Sequence, residues 1–131
     1  MRLSPYRVGI DIVEVGEIQA SIDKFGSRYL EQVYTKEEQR YCQSLSNTSA
    51  KTQSFAVRFA AKEATIKVLR PHTEVIHWLN IEVHRYPAGW CDIELHAAAA
   101  DLARQRGIAA LSVSLSHEKN YATAVVIADF F

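Results

Sequence analysis

At 131 residues the chain holds enough material for one compact core and too little for several. Its 15 basic and 15 acidic residues cancel to a formal net charge of zero, which argues against a general nucleic-acid binder, a class that usually carries a basic excess. Two cysteines, Cys42 and Cys91, stand in unrelated contexts without CxxC or Cys/His spacing, which argues against a disulfide scaffold or a structural zinc. No apolar run is long enough to span a bilayer, and "MRLSPYRVGIDIV" has neither an apolar leader core nor a small-residue cleavage site, so a cytoplasmic location is expected.

In chain order, "YRVGIDIV" (6–13) alternates. Val8, Ile10 and Ile12 fall on one face, Gly9, Asp11 and Val13 on the other, which predicts a strand. "EVGEIQASIDKF" places Val15, Ile18, Ile22 and Phe25 at helical intervals, and "SRYLEQVY" predicts a second short helix. "TKEE" (35–38) is a capping box that opens a third helix running to about Ser44. The polar stretch 44–53 reads as a loop or a frayed helix start, and a long helix over about 50–69 follows, stopped by Pro71. "HWLNIEVHRY" and "WCDIELH" both alternate around the turn "PAG" (87–89), predicting a hairpin. "AAAADLARQRG" predicts a helix with Gly107 just past its end. "LSVSLSH" and "YATAVVIADFF" predict two last strands joined by "EKN". With no internal repeat and no linker, the class is α+β.

Three places carry candidate chemistry. Asp11 sits mid-strand, where Asp is disfavoured. It is unremarkable if its face meets solvent, and needs a cation or donors if covered. Gly9 beside it leaves room for a ligand near the backbone. In "RFAAKEATIKVL" (58–69), one apolar stripe runs through Phe55, Phe59, Ile66 and Leu69 and another through Val57, Ala61, Ala64 and Val68, so the helix is packed on two sides. Lys62 projects within the first stripe, a costly place for an ammonium unless it reaches an anion or water. Glu63 and Lys67 lie one turn apart between the stripes. They suit an i,i+4 ion pair worth ~0.3–0.5 kcal/mol, and equally a metal-binding carboxylate beside a phosphate-binding lysine. His117 stands where a strand meets its turn, on the Val113/Leu115 face. Ser112, Ser114 and Ser116 share the other face, so no Ser-His-Asp arrangement is available.

"GIDIVEVGEI", "RFAAKEATIKVL" and "VSLSHEKNYATAVVI", in this order and spacing, resemble the holo-(acyl-carrier-protein) synthases, small trimeric 4'-phosphopantetheinyl transferases. "YLEQVYTKEE" and "NIEVHRYPAGWCDIEL" extend the resemblance over most of the chain. It implies a single domain over 1–131, with a small, mostly antiparallel sheet packed on a long central helix, and trimers with active sites at protomer boundaries. It also implies transfer of the phosphopantetheine arm of coenzyme A to a serine of an apo acyl-carrier protein, with Mg²⁺. Asp11 and Glu63 match the family's metal ligands, oxygen donors of the kind Mg²⁺ prefers. Lys67 matches the lysine on the reacting phosphate, and Arg58 and His117 match positions near the nucleotide. Lys62 could serve either phosphate or structure. Glu63 could take the serine proton directly or through water. Arg28 matches a cation on the carrier-docking side.

The chain also departs from the family. "RPHTE" (70–74) replaces a Gly-rich turn, with Arg70 or His72 as alternative sources of charge, and Glu17 stands where an arginine usually docks the acidic carrier. "GWC" (89–91) replaces a Gly-Lys-Pro-like run. These changes imply a specialised carrier, of fatty-acid-like, polyketide or aryl-polyene synthesis. The competing expectations are a small Mg-dependent pyrophosphate-bond hydrolase and a non-catalytic carrier-binding homologue.

Overall fold

The computed structural model describes residues 3–131; Met1 and Arg2, the first two residues of the N-terminal stretch read above, lie outside the described residues. Strand β1 (Tyr6–Glu14) leads into helices α1 (Val15–Phe25), α2 (Ser27–Val33), α3 (Lys36–Gln43) and α4 (Thr48–Leu69). The chain continues as β2 (Ile81–Arg85), β3 (Cys91–Leu95), α5 (Ala97–Gln105), β4 (Ile108–His117) and β5 (Tyr121–Phe130). The strands form a three-stranded antiparallel sheet, order β1-β5-β4, and a separate β2–β3 hairpin. The α+β class and the sheet packed on a long helix agree with the sequence reading.

Small residues let α4 sit close to the sheet. On β5, Ala122, Ala124, Val126 and Ala128 are all buried, as are Ala60, Ala61 and Ala64 on α4. Gly9 completes this contact. A Cβ built there would stand 2.3 Å from the carbonyl oxygen of Ala64 and 3.1 Å from Val68 Cγ1. The space expected for a ligand beside Gly9 is therefore taken by the helix backbone. The core side of β1 is Gly9, Asp11 and Val13, whereas Val8, Ile10 and Ile12 point outward and are more than half exposed. Their cross-strand neighbours Ile127, Val125 and Thr123 share that outer face.

Two boundaries shift for identifiable reasons. Helix α4 starts at Thr48 because Asn47 Oδ1 accepts from the Ala50 amide at 2.8 Å, an N-cap inside the stretch that reads as a loop or a frayed helix start. It ends at Arg70, which takes a left-handed conformation (φ 49°), directly before Pro71. The strand expected from His77 begins only at Ile81, after a 3-10 turn over Trp78–Asn80. In that turn the carbonyls of Trp78 and Ile81 both accept from the Lys62 ammonium. Strand alternation would have sent carbonyls this close along the chain different ways.

Candidate active site

Asp11 on β1 and Lys67 on α4 meet where helix and strand cross. Lys67 Nζ lies 3.3 Å from Asp11 Oδ1 and donates to the Ile10 carbonyl at 2.6 Å. The Asp11 side chain is only 20% exposed and the Lys67 side chain 55%, so the pair opens to solvent from the lysine side. Thr123 Oγ1 donates to the Asp11 carbonyl at 2.8 Å, tying this segment of β1 to β5. Glu63 stands one helical turn before Lys67, about 6 Å along the axis. The lysine's carboxylate partner is Asp11, not Glu63, so the i,i+4 pair does not form among the described residues. Glu63 Oε1 instead accepts from the indole N–H of Trp78 at 3.0 Å. The Asp11 carboxylate and the Lys67 ammonium thus pair at the crossing of α4 and β1, with the partly buried Glu63 carboxylate one turn away on α4. The two carboxylates offer hard oxygen donors, of the kind that fits Mg²⁺.

Lys62 is a correction to the expected nucleotide contacts. Its side chain is fully buried and its ammonium lies 2.8 Å from Glu38 Oε1. The remaining donors go to the carbonyls of Trp78 and Ile81. Burial pushes its pKa below the ordinary lysine value, and the Glu38 carboxylate offsets part of that. Glu38 is equally occupied: it closes the capping box on the Thr35 amide and accepts from the Val83 amide at 2.7 Å. Of the two roles left open for Lys62, the geometry gives the structural one. Glu38 was read only as a cap, because the sequence offers no signal that its carboxylate also reaches β2 and α4.

Arg58 and His117 line a second region, a cavity of about 600 Å³ shared with Arg85, Tyr41, Gln53 and Gly89. Arg58 is almost fully buried; it donates to Ser54 Oγ at 2.6 Å, and its Nε has no partner among the described residues. The guanidinium groups of Arg58 and Arg85 lie 4.7 and 4.8 Å from the Tyr41 ring centroid, cation–π contacts that hold both cations near one aromatic. His117 Nδ1 pairs with Gln53 Oε1 at 2.8 Å. Arg85 was missed in the sequence because nothing about its strand position separates it from a solvated residue. Asp11 and His117 belong to strands at opposite edges of the sheet. Asp11 and Glu63 are not among the residues that line the cavity of Arg58, Arg85 and His117.

The altered turn after α4 lies elsewhere. Arg70 lines a cavity with Arg7, Tyr6 and Phe130. Arg7 donates to the Val68 carbonyl at 2.7 Å and Arg106 to the Arg70 carbonyl at 2.9 Å, so the arginines satisfy the helix end. The His72 amide donates to Glu74. Of the residues expected to dock the carrier, Glu17 is exposed in the first turn of α1. Arg28 borders an apolar cavity of about 300 Å³ with Phe25, Tyr29, Val33, Phe59 and Trp78. Among the described residues, Glu82, Glu94 and His96 also bring metal-capable atoms within 4.8 Å of one another. Glu82 is already bonded there by Thr35 Oγ1 at 2.5 Å and approached by His96 Nε2 at 3.2 Å.

Residues 7–126 match the family described as ACPS, 4'-phosphopantetheinyl transferase superfamily. A holo-[acyl-carrier-protein] synthase of Koribacter versatilis is 43% identical over 120 residues, 91% of this chain and 94% of that protein. One of Halothermothrix orenii is 39% identical over 122 residues, 93% of this chain and 95% of that protein. Among solved structures, Helicobacter pylori holo-[acyl-carrier-protein] synthase in complex with coenzyme A superposes with a TM-score of 0.80 at 29% identity, covering 94% of this chain and 100% of that one. The Chronobacterium ammoniagenes ACPS–CoA complex gives a TM-score of 0.83 at 27% identity, covering 98% and 99%. The chain belongs to the 4'-phosphopantetheinyl transferase superfamily.

Proposed function

We propose that this chain is a holo-(acyl-carrier-protein) synthase, a single unit over 1–131 that moves the 4'-phosphopantetheine arm of coenzyme A onto a serine of an apo acyl-carrier protein. The observation that carries the reading is the Asp11–Lys67 pair across the β1–α4 crossing, with Glu63 one helical turn before that lysine on α4, in a chain whose relatives are synthases of this name and whose structural neighbours hold coenzyme A. The serine Oγ attacks the β-phosphorus. The bond from that phosphorus to the α-phosphate oxygen breaks, adenosine 3',5'-bisphosphate leaves, and Glu63 accepts the serine proton. Lys67 neutralises charge that builds on the transferring phosphoryl group. Asp11 holds the lysine head toward that group. Asp11 and Glu63 are the residues that would hold Mg²⁺, which when bound would offset the diphosphate charge.

Arg58, Arg85 and His117 form the cationic region suited to the nucleotide's 3'-phosphate. Because the cavity that the cations line includes neither Asp11 nor Glu63, the complete site sets one copy's cations beside a second copy's carboxylates. A closed ring of three supplies that, and it also covers the outward Val8, Ile10 and Ile12 face, which is too apolar to leave wet. No helix among the described residues is long and apolar enough to cross a membrane, in keeping with a cytoplasmic enzyme. On the docking side Arg28 borders the apolar cavity, while exposed Glu17 repels a strongly acidic carrier; the carrier is a specialised one.

The test incubates the protein with coenzyme A, Mg²⁺ and a panel of apo-carriers and reads carrier mass. Transfer adds about 340 Da, the phosphopantetheine arm. Coenzyme A cleavage with no mass gain would make the chain a hydrolase; carrier binding without turnover would make it a non-catalytic homologue. If a generic acidic carrier is modified fastest and Glu17→Arg brings no gain, the specialised-carrier reading fails.

A further inference from the structure

Trp78 is used by nothing in the scheme above, yet it touches the residue at its centre. Its indole N–H donates to Glu63 Oε1 at 3.0 Å. Its ring packs beside Phe59, centroids 6.0 Å apart and planes 37° from parallel. Its own carbonyl accepts from Lys62 at 3.1 Å. That lysine is fixed by Glu38 at 2.8 Å, and Glu38 by the amides of Thr35 and Val83. The 3-10 turn is held at its far end as well, where the His96 amide donates to the Asn80 carbonyl at 2.8 Å. A chain of buried and partly buried polar contacts thus runs from the capping box of α3 through Lys62 to the backbone under the indole. The rest of the ring walls the apolar cavity that Arg28 borders.

We infer that Trp78 is a positioning residue for Glu63. A glutamate side chain rotates about three bonds, and a carboxylate free to turn spends little time in any one orientation. The indole occupies one acceptor site on Oε1 and fixes the carboxylate plane, which leaves Oε2 wholly free to meet a cation or the serine proton. The donor belongs to a rigid ring with two torsions, packed on Phe59 and braced by a buried ion pair, so it holds the carboxylate without moving with it. The inference rests on the assignment of Glu63 as the reacting carboxylate. It adds what fixes that carboxylate, and it explains why a buried lysine in the same helix is spent on the backbone of a turn.

The test uses full-length protein with two readouts. The chain has two tryptophans, so the ¹H–¹⁵N spectrum shows two indole signals, assigned with Trp90→Phe. Glu63→Ala moves the Trp78 indole resonance and leaves that of Trp90 in place. In the transfer assay Trp78→Phe keeps an aromatic ring on Phe59 and removes the N–H; kcat falls about tenfold, in line with the cost of a loosened catalytic group, while KM for coenzyme A and for carrier stays within about twofold. Trp78→Ala also opens the cavity and raises carrier KM. An unmoved Trp78 signal in Glu63→Ala overturns the inference, as does a kcat in Trp78→Phe within about twofold of wild type. Glu63→Gln separates the two layers: if it transfers at the wild-type rate, the role given to Glu63 is wrong even where the spectrum shows the indole contact.

Discussion

Lys62 and Lys67 project from one helix and do opposite work. Lys67 keeps more than half its side chain in solvent beside Asp11, whereas Lys62 is sealed against Glu38. Removing one partner of a buried pair leaves the other charge unpaired. Lys62→Met is therefore expected to cost about 3–5 kcal/mol in urea unfolding, and the folded fraction keeps its KM for coenzyme A. A rise in that KM with unchanged stability would return Lys62 to the nucleotide site. Gly9→Ala is expected to cost roughly 2–3 kcal/mol, because the added carbon meets the Ala64 carbonyl, which is backbone and cannot swing away. Helix periodicity gave the angular position of Lys62 and flagged its cost, and the motif resemblance pointed to Asp11, Glu63 and Lys67. Spacing does not say which distant group fills a direction. Glu38, 24 positions earlier in the sequence, and Trp78, 15 positions beyond Glu63, were therefore invisible as partners.

At the scale of elements, α3, α4 and the β2–β3 hairpin are tied at one spot. Thr35 caps α3 and also donates to Glu82 on β2, while Glu38 reaches both Lys62 and the Val83 amide. Burial alone would raise the Glu82 pKa, but the hydrogen bonds from Thr35 and His96 outweigh it and hold it below its ordinary 4.5. A carboxyl depressed in the folded state adds stability that is complete above its unfolded pKa and is lost as pH falls through the folded one. Melting temperature is thus expected to drop as pH falls below about 4.5, and Glu82→Gln to flatten part of that drop. Equal acid slopes for the two proteins would remove Glu82 from this role. Both helix-flanking motifs were legible because capping and turn chemistry are local: the Thr35–Glu38 box and the Gly107 stop lie where the sequence put them. The 3-10 turn was not, because a distant ammonium gathers its carbonyls and overrides an alternation that reads as strand.

Taken as a whole, the molecule has an apolar outer sheet face, and the proposed site is shared between copies of the chain. Alternation separated Val8, Ile10 and Ile12 from Asp11 correctly. It could not say which set is the core, since that depends on Gly9 and the alanines of β5 admitting α4 to the other side. Ile10→Glu is expected to leave the single chain folded, as exposed substitutions usually do. By light scattering it would reduce the proposed trimer to one 14.8 kDa chain, with loss of transfer. An Ile10→Glu protein that stays trimeric, or a fully active monomer, would refute the shared site. The central claim is that Asp11 and Glu63 work together on the diphosphate of coenzyme A. It is tested most directly by the single-turnover rate of phosphopantetheine transfer, read by carrier mass across a Mg²⁺ titration, for wild type and the isosteric Asp11→Asn. The account predicts a wild-type rate that saturates with Mg²⁺ and an Asp11→Asn rate lower by about 100-fold or more. An Asp11→Asn protein that transfers at the wild-type rate with the same Mg²⁺ dependence would contradict it.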